Sequence, residues 1–289
     1  MISVVIPAFN EELAIQSTIE DLVRTLTDAK LAPFEVIVVD DGSTDATKKL
    51  ATESGALVIS HPHNAGYGSA IKTGIMIASY DTIIITDSDG TYPIAEIPNL
   101  YEKYASGFDM VVGARQGVTY RGSYVKWPLR LTLKFIVEWT AGAKIPDINS
   151  GFRIFSKRTI TKYFNRLCNT FSFTTSATLA YLMTNRFIGY VPIAYFPRTG
   201  NSHVKLWRDS LRTFQFIVQA SIYYNPFKIF MLLSGLVMFG ALISLLIAIF
   251  FEILTGFFMS VLLISCSILI FCLGLLADLL RQILSTSFD

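Results

Sequence analysis

At 289 residues the chain can form one large domain or two smaller ones, and its hydrophobic fraction of 52% with a mean hydropathy of +0.48 exceeds what a soluble globule needs. The formal net charge is only +2, and the three cysteines, Cys168, Cys266 and Cys272, offer neither a disulfide framework nor a metal knuckle and fit a reducing compartment. The apolar excess is concentrated after residue 226.

Ser3 to Ile6 predicts a first strand; Met1 leads into it without a basic leader, so no N-terminal signal peptide is expected. Glu11 to Leu26 predicts a helix, with apolar residues at 15, 19, 22, 23 and 26. Val36 to Val39 is a second strand, after which Ser43, Thr44 and Asp45 offer N-caps to a helix running toward Ser54. Leu57 to Ile59 is a third strand, Ala70 to Ser79 a helix, Thr82 to Thr86 a fourth strand and Met110 to Val112 a fifth. Alternating strands and helices imply right-handed crossovers and a largely parallel sheet.

From Tyr120 the pattern changes. Trp127 to Trp139 is aromatic-rich, basic and amphipathic, and Trp207 to Tyr224 sets Leu211, Phe214 and Val218 against Arg208 and Arg212. Both segments suit a membrane interface, and both also suit a helix covering a soluble core. Between Arg115 and Lys134 lie five basic residues (Arg115, Arg121, Lys126, Arg130, Lys134) and no acidic one, which here points to lipid headgroups or a phosphorylated lipid rather than nucleic acid. Phe227 to Phe251 holds one charge, Lys228, and Ile253 to Ala277 none. As helices these runs reach roughly 37 Å, enough to cross a hydrocarbon core of about 30 Å. The loop around Glu252, Leu254, Thr255 and Gly256 permits only a tight hairpin. Lys205, Arg208, Arg212 and Lys228 before the first span, and Arg281 after the second, place both ends in the cytoplasm by the positive-inside rule. The expected organisation is a catalytic domain over 1–205, with an interfacial segment near 120–142. A juxtamembrane helix over 206–226 and a two-span hairpin over 227–282 follow, with spans at about 227–251 and 253–277.

The most informative stretch is Thr82-Ile83-Ile84-Ile85-Thr86-Asp87-Ser88-Asp89-Gly90. A β-branched run ends in two aspartates and a glycine, at the strand end where open α/β sheets bind ligands. Two hard oxygen ligands there suit Mg²⁺ or Mn²⁺ holding a diphosphate; an acidic turn is the plain alternative. Three further loops follow strands on the same edge: Pro7-Ala8-Phe9-Asn10-Glu11-Glu12, Asp40-Asp41-Gly42-Ser43 and His61-Pro62-His63-Asn64-Ala65-Gly66-Tyr67-Gly68. Asn64 to Gly68 suits either a phosphate cradle or a tight turn. His61 and His63 offer either metal ligands at i and i+2 or two exposed loop histidines.

Together these residues resemble the inverting family-two glycosyltransferases with the GT-A fold. The resemblance is nearest to the polyprenyl-phosphate sugar transferases, the group that contains dolichyl-phosphate mannose synthase and bacterial undecaprenyl-phosphate sugar transferases. Gly113-Ala114-Arg115, Trp127-Pro128-Leu129-Arg130, Asn149-Ser150-Gly151-Phe152-Arg153 and Arg198-Thr199-Gly200-Asn201-Ser202 extend the match over about residues 3 to 205. The resemblance implies an α/β, Rossmann-like, mostly parallel GT-A domain that binds a UDP- or GDP-sugar and Mg²⁺ or Mn²⁺. It implies that Pro7, Phe9, Glu11, Val38 and Asp40 hold the nucleoside, and that Asp87 and Ser88 lie along the ribose and diphosphate. Asp87, Asp89 and Thr91 would serve the metal; Thr91 stands where close relatives often have Gln. Arg115, Arg130 and Arg198 would meet phosphates, with Lys134 also at the lipid phosphate. Ser202 is followed by His203 where relatives have Lys, leaving the basic role in the donor loop to His203 or Lys205.

The implied reaction needs no strong protein base, because a lipid monophosphate with a second pKa near 6 is mostly dianionic at neutral pH. In-line attack on the anomeric carbon inverts it. A processive polysaccharide synthase usually carries Gln-x-x-Arg-Trp, and Leu206-Trp207-Arg208 is the wrong order for that. A transferase with a non-lipid acceptor, or a non-catalytic nucleotide-binding membrane scaffold, are the other readings. Residues shaping the sugar pocket are expected within 147–180, and a homo-oligomer is compatible with so small a membrane footprint.

Overall fold

The computed structural model describes residues 1–116, 137–139, 141–197, 215, 218, 219, 222, 223 and 225–286. Arg121, Lys126, Arg130, Lys134, Arg198, His203 and Lys205 lie outside them, as does most of both amphipathic segments. The chain divides into two compact units, Met1–Ile217 and Val218–Asp289.

The first unit is built on a seven-stranded sheet. Its strands are β1 (Ile2–Ala8), β2 (Phe34–Asp40), β3 (Leu57–Ser60), β4 (Thr82–Ile85), β5 (Met110–Gln116), β6 (Arg153–Ser156) and β7 (Ile188–Ala194), in the order β3-β2-β1-β4-β6-β5-β7. β3, β2, β1 and β4 are mutually parallel and β5 is parallel to β7, whereas β6 runs antiparallel between β4 and β5. The sheet is thus mixed but mostly parallel. β1 is buried at all seven positions, as expected of a central strand covered by helices on both faces. The helices are α1 (Ile15–Asp28), α2 (Thr47–Glu53), α3 (Tyr67–Ile77), α4 (Ile97–Ala105), α5 (Lys157–Thr161) and α6 (Phe173–Met183). α1 buries Ile15, Ile19, Leu22 and Leu26 against Val4, Ile6, Val38 and Ile84. Each such side chain contributes roughly 1.5–3 kcal/mol by leaving water.

Element boundaries depart from the sequence expectation where side chains take the backbone donors. The first helix begins at Ile15 and not at Glu11, because the N–H groups of Asn10, Glu11 and Glu12 donate across to Ser43 Oγ, Thr47 Oγ1 and Asp45 Oδ2. Ser43 and Thr44 are likewise not helix caps; α2 starts at Thr47, whose N–H donates to Asp45 Oδ1. The third helix begins at Tyr67, one turn earlier than Ala70.

The second unit is an antiparallel pair of helices, α7 (Pro226–Phe251) and α8 (Leu254–Thr286). They turn through Glu252, which has φ 54°, and Ile253, so Leu254 to Gly256 belong to the second helix and not to the loop. Both are long and apolar enough to cross a membrane. Their outward faces carry large apolar side chains such as Leu246, Phe250, Leu262 and Leu269, a surface suited to hydrocarbon and not to water. Small residues let the backbones meet. Ser234 and Ser267 donate reciprocally to each other's carbonyls at 3.0 Å, and Gly256 packs against Ala248. Asp278 and Arg281 pair within the last turns of α8.

Candidate nucleotide and metal site

The carboxyl ends of β1, β2, β3 and β4 bring their four loops to one edge, and hydrogen bonds join them in sequence. Asn10, in the left-handed region at φ 55°, accepts from Thr44 N through Oδ1 at 2.8 Å. Glu12 Oε2 accepts from Ala46 N at 3.0 Å. With the three N–H donations already described, the Pro7–Glu12 and Asp40–Thr47 loops form one rigid platform. Glu11 is buried at its centre, 7% exposed. Asp40 is buried and accepts from Ser43 N. Pro7 is buried with its carbonyl taken by Ser88 Oγ at 3.2 Å, and Phe9 is half-buried. Val38 is fully buried in the core cluster, leaving its side chain no surface for a ligand.

Asp41 organises the third loop. Its Oδ1 meets His61 Nδ1 at 2.7 Å and accepts from Ala65 N at 2.9 Å, while Oδ2 accepts from Gly66 N at 2.8 Å. The Ala65 and Gly66 donors just before α3 are therefore committed to an internal carboxylate, while Tyr67 and Gly68 already belong to the helix. Gly66 has φ 101°, and a methyl at Gly68 would be driven into the Cys168 carbonyl. Gly68→Ala is therefore expected to cost about 1–3 kcal/mol, the range for overpacking, read as a fall of several degrees in thermal midpoint in detergent. His61 bonds Thr73 Oγ1 through Nε2 at 3.0 Å, so both ring nitrogens serve the fold; metal ligation by the His61/His63 pair has no support here.

The fourth loop holds the acidic pair. Asp89 is buried, and its Oδ1 accepts from Thr91 N at 3.1 Å and Thr91 Oγ1 at 2.6 Å. Thr91, 1% exposed, thus acts on the carboxylate itself. Asp87 Oδ1 accepts from the Tyr67 hydroxyl at 2.8 Å. Burial, reinforced by the Asp87 charge, pushes the Tyr67 phenol well above its ordinary range, so it remains a donor. Gly151 sits over this pair, where a methyl would come within 2.6 Å of the Tyr67 hydroxyl and 2.7 Å of Asp87 Oδ1. Its N–H donates to Tyr92 Oη at 2.7 Å, and Tyr92 stacks on Phe152.

The motif Asn149 to Arg153 owes its place to Arg153. That side chain is fully buried and donates to the carbonyls of Ile148 and Ser150 and to Thr178 Oγ1, fixing the loop that presents Gly151. Asp147 opens the same loop. It accepts from Arg115 Nε at 2.7 Å and Nη2 at 2.9 Å, with side-chain exposures of 13% for the arginine and 1% for the aspartate. Burial alone would raise the Asp147 carboxyl, but the hydrogen bonds and charge of Arg115 outweigh it and hold it below the usual range. Tyr195 lies under the guanidinium, its ring centroid 5.2 Å away. Phe196 N donates to the Thr91 carbonyl at 3.0 Å, tying the end of β7 to the Asp89 loop.

Among the described residues no cluster of three His, Cys, Asp or Glu could cage a metal. One or two carboxylates at a sheet edge fit a divalent ion that keeps several waters and shares a substrate's diphosphate oxygens. Asp87 and Asp89 supply that donor set, so the residues fit Mg²⁺ or Mn²⁺. The sequence expectation brought Pro7, Phe9, Glu11, Asp40, Asp87, Ser88, Asp89 and Thr91 to this edge, and they meet there. It assigned no role to Asp41, Tyr67, Tyr92, Asp147 or Gly151. The Asp40-Asp41 doublet and the aromatic between two glycines were the available signals.

Comparison with known proteins bears on the family and the fold. Over 225 residues the chain is 32% identical to the low-salt glycan biosynthesis hexosyltransferase Agl6 of Haloferax volcanii, covering 75% of this chain and 53% of the relative. It is 34% identical over 168 residues to the undecaprenyl-phosphate 4-deoxy-4-formamido-L-arabinose transferase of Pseudomonas fluorescens, covering 55% of this chain and 47% of the relative. The chain thus spans about half the length of these two relatives. In fold it matches glucosyl-3-phosphoglycerate synthase of Mycobacterium tuberculosis in complex with Mn²⁺, UDP and glucosyl-3-phosphoglycerate, with a TM-score of 0.62. The identity there is 24%, over 76% of this chain and 80% of that one. Residues 3–167 match the model of glycosyl transferase family 2: the chain has the GT-A fold and belongs to that family.

Proposed function

We propose that the chain transfers a sugar from a UDP- or GDP-linked donor to a polyprenyl phosphate, inverting the anomeric carbon. The observation that carries this reading is the Asp87–Asp89 pair at the carboxyl edge of a parallel sheet, in a chain that also holds two membrane-length apolar helices. The undecaprenyl-phosphate sugar transferase among its relatives supports the acceptor class.

In this reading Pro7, Phe9, Glu11 and Asp40 line the nucleoside, with Val38 contributing only as the strand beneath them. Asp87 and Ser88 lie along the ribose and diphosphate, and Asp87, Asp89 and Thr91 form the metal side. Asp87 and Asp89 would hold Mg²⁺ or Mn²⁺, which when bound would supply charge neutralisation for the departing nucleoside diphosphate. The rigid 10–12 and 43–47 platform fixes the donor, so that little reorganisation is left for the reaction. Arg198, with either His203 or Lys205, would meet the donor phosphates, while Arg130 and Lys134 would neutralise the lipid phosphate. Arg115, whose charge Asp147 offsets, adds less. The helices hold the lipid's phosphate end at the membrane surface, turning an encounter into positioning. The Lys and Arg residues flanking the helices support a cytoplasmic side for the catalytic unit and both ends, by the positive-inside rule.

The test offers the detergent-solubilised chain a panel of radiolabelled UDP- and GDP-sugars with a short polyprenyl phosphate and, separately, a soluble phosphorylated acceptor. One donor should label the lipid, and EDTA should remove that label. Label on the soluble acceptor alone, or donor binding with no transfer, contradicts the proposal.

A further inference from the structure

We infer that Tyr67 is the positioning residue for Asp87: its hydroxyl fixes the carboxylate in the orientation that a metal-bound nucleoside diphosphate needs. The inference rests on the proposed nucleotide and metal site.

Three independent observations converge on this bond. First, the hydroxyl donates to Asp87 Oδ1 at 2.8 Å, so one carboxylate oxygen is engaged. Second, the contact is closed over by Gly151, where any side chain would intrude on both partners at once. Gly151 is itself set by Tyr92 and by the buried Arg153 loop. Third, the start of α3 is placed by other means. Asp41 takes the Ala65 and Gly66 N–H groups, and Ser69 N donates to the Asn169 carbonyl at 2.9 Å. The helix therefore does not depend on Tyr67's hydroxyl for its position, and that hydroxyl serves Asp87.

A carboxylate with one oxygen held has lost most of its rotational freedom before a ligand arrives. Partners that orient a metal's ligands are typically worth about 10–100-fold in metal affinity. Within the Asp40-Asp41 doublet the labour is divided accordingly. Asp40 holds the Ser43 amide at the platform, while Asp41 acts through the 61–66 loop on the start of α3, whose Tyr67 reaches Asp87 at the end of β4, two strands from β2.

Tyr67→Phe keeps the ring and its contact with Phe171 and removes only the hydroxyl. The experiment measures UDP and GDP binding by calorimetry on the full chain in detergent, with Mn²⁺ and with EDTA. Tyr163→Phe is the control, since it deletes another partly buried phenol hydroxyl, bonded to Thr184 Oγ1 at 2.8 Å, away from the acidic pair. The Mn²⁺-dependent part of nucleotide affinity should fall about tenfold or more in Tyr67→Phe, the size of a lost hydrogen bond to a charged group. Nucleotide affinity in EDTA should stay near wild type, the thermal midpoints of both variants should fall by a similar few degrees, and Tyr163→Phe should bind as wild type. Wild-type Mn²⁺ dependence in Tyr67→Phe, or an equal loss in Tyr163→Phe, overturns the positioning role alone. Absence of Mn²⁺-dependent nucleotide binding in the wild-type chain overturns the proposed site and this role with it.

Discussion

Asp89→Ala is expected to lower sugar transfer by at least about a thousandfold, because a divalent ion at a leaving diphosphate is worth several kcal/mol and each 1.36 kcal/mol is tenfold in rate. Asp89 is buried and receives both the amide and the hydroxyl of Thr91, so its carboxylate is held ready at the sheet edge. Alanine removes that oxygen pair and leaves the Thr91 donors without their partner. Orphaned buried donors cost about 1–3 kcal/mol each, so the fold should survive with the thermal midpoint lowered by several degrees. The checks are transfer rate, Mn²⁺-dependent nucleotide binding and thermal unfolding in parallel. Turnover within tenfold of wild type would remove Asp89 from the metal site.

Asp147→Ala is expected to act on stability. The carboxylate is almost wholly buried and answers Arg115 through two guanidinium nitrogens and its amide, and Asn149 through another amide. Cutting one partner from a buried pair costs about 3–5 kcal/mol, because the other charge stays behind. For a unit of this size each kcal/mol moves the thermal midpoint roughly 2–4 °C. A fall of roughly 10 °C is therefore expected. The pH dependence follows from the lowered carboxyl. The pair's contribution is complete above the unfolded value near 3.9 and is lost as pH falls through the folded value beneath it. Wild type and Asp147→Ala should thus differ most at neutral pH and converge in acid. The double variant Arg115→Met, Asp147→Leu should recover much of the loss, since apolar replacements carry no orphaned charge. An Asp147→Ala midpoint within two degrees or so of wild type would mean the pair is not held as described.

The parallel half of the sheet was legible because buried parallel strands read as short β-branched runs. Val36 to Val39 and Thr82 to Ile85 are of that kind. Strands β6 and β7 were not. β6 begins with a buried arginine, whose charge argues against a core strand until Ile148, Ser150 and Thr178 are seen to satisfy it. β7 contains Gly189 and Pro192, which weaken a strand reading, yet β7 lies at the sheet edge where a proline is tolerated. Helix α4 was readable and passed over: Ile97, Leu100, Tyr101 and Tyr104 have helical spacing, and Pro98 lies in its first turn.

The carboxylates of the site were likewise visible as strand-end motifs, since parallel topology alone brings those loops together. Their partners were not. Tyr67 lies 20 residues before Asp87 and Asp147 lies 32 after Arg115. No local pattern signals a hydrogen bond closed by the fold. Val38 was placed by motif beside the nucleoside, and its side chain is packed in the core cluster, so any part it has there is through the strand it belongs to.

The most direct measurement is a structure of the full chain in detergent or nanodisc with Mn²⁺ and the better-binding nucleoside diphosphate, with the metal located by its anomalous signal. The predicted result is Mn²⁺ within coordination distance of Asp89, about 2.0–2.3 Å, the diphosphate beside Asp87 and Ser88, and the nucleoside against Phe9, Glu11 and Asp40. A nucleotide bound away from the ends of β1, β2 and β4, or a metal held without Asp89, would contradict it.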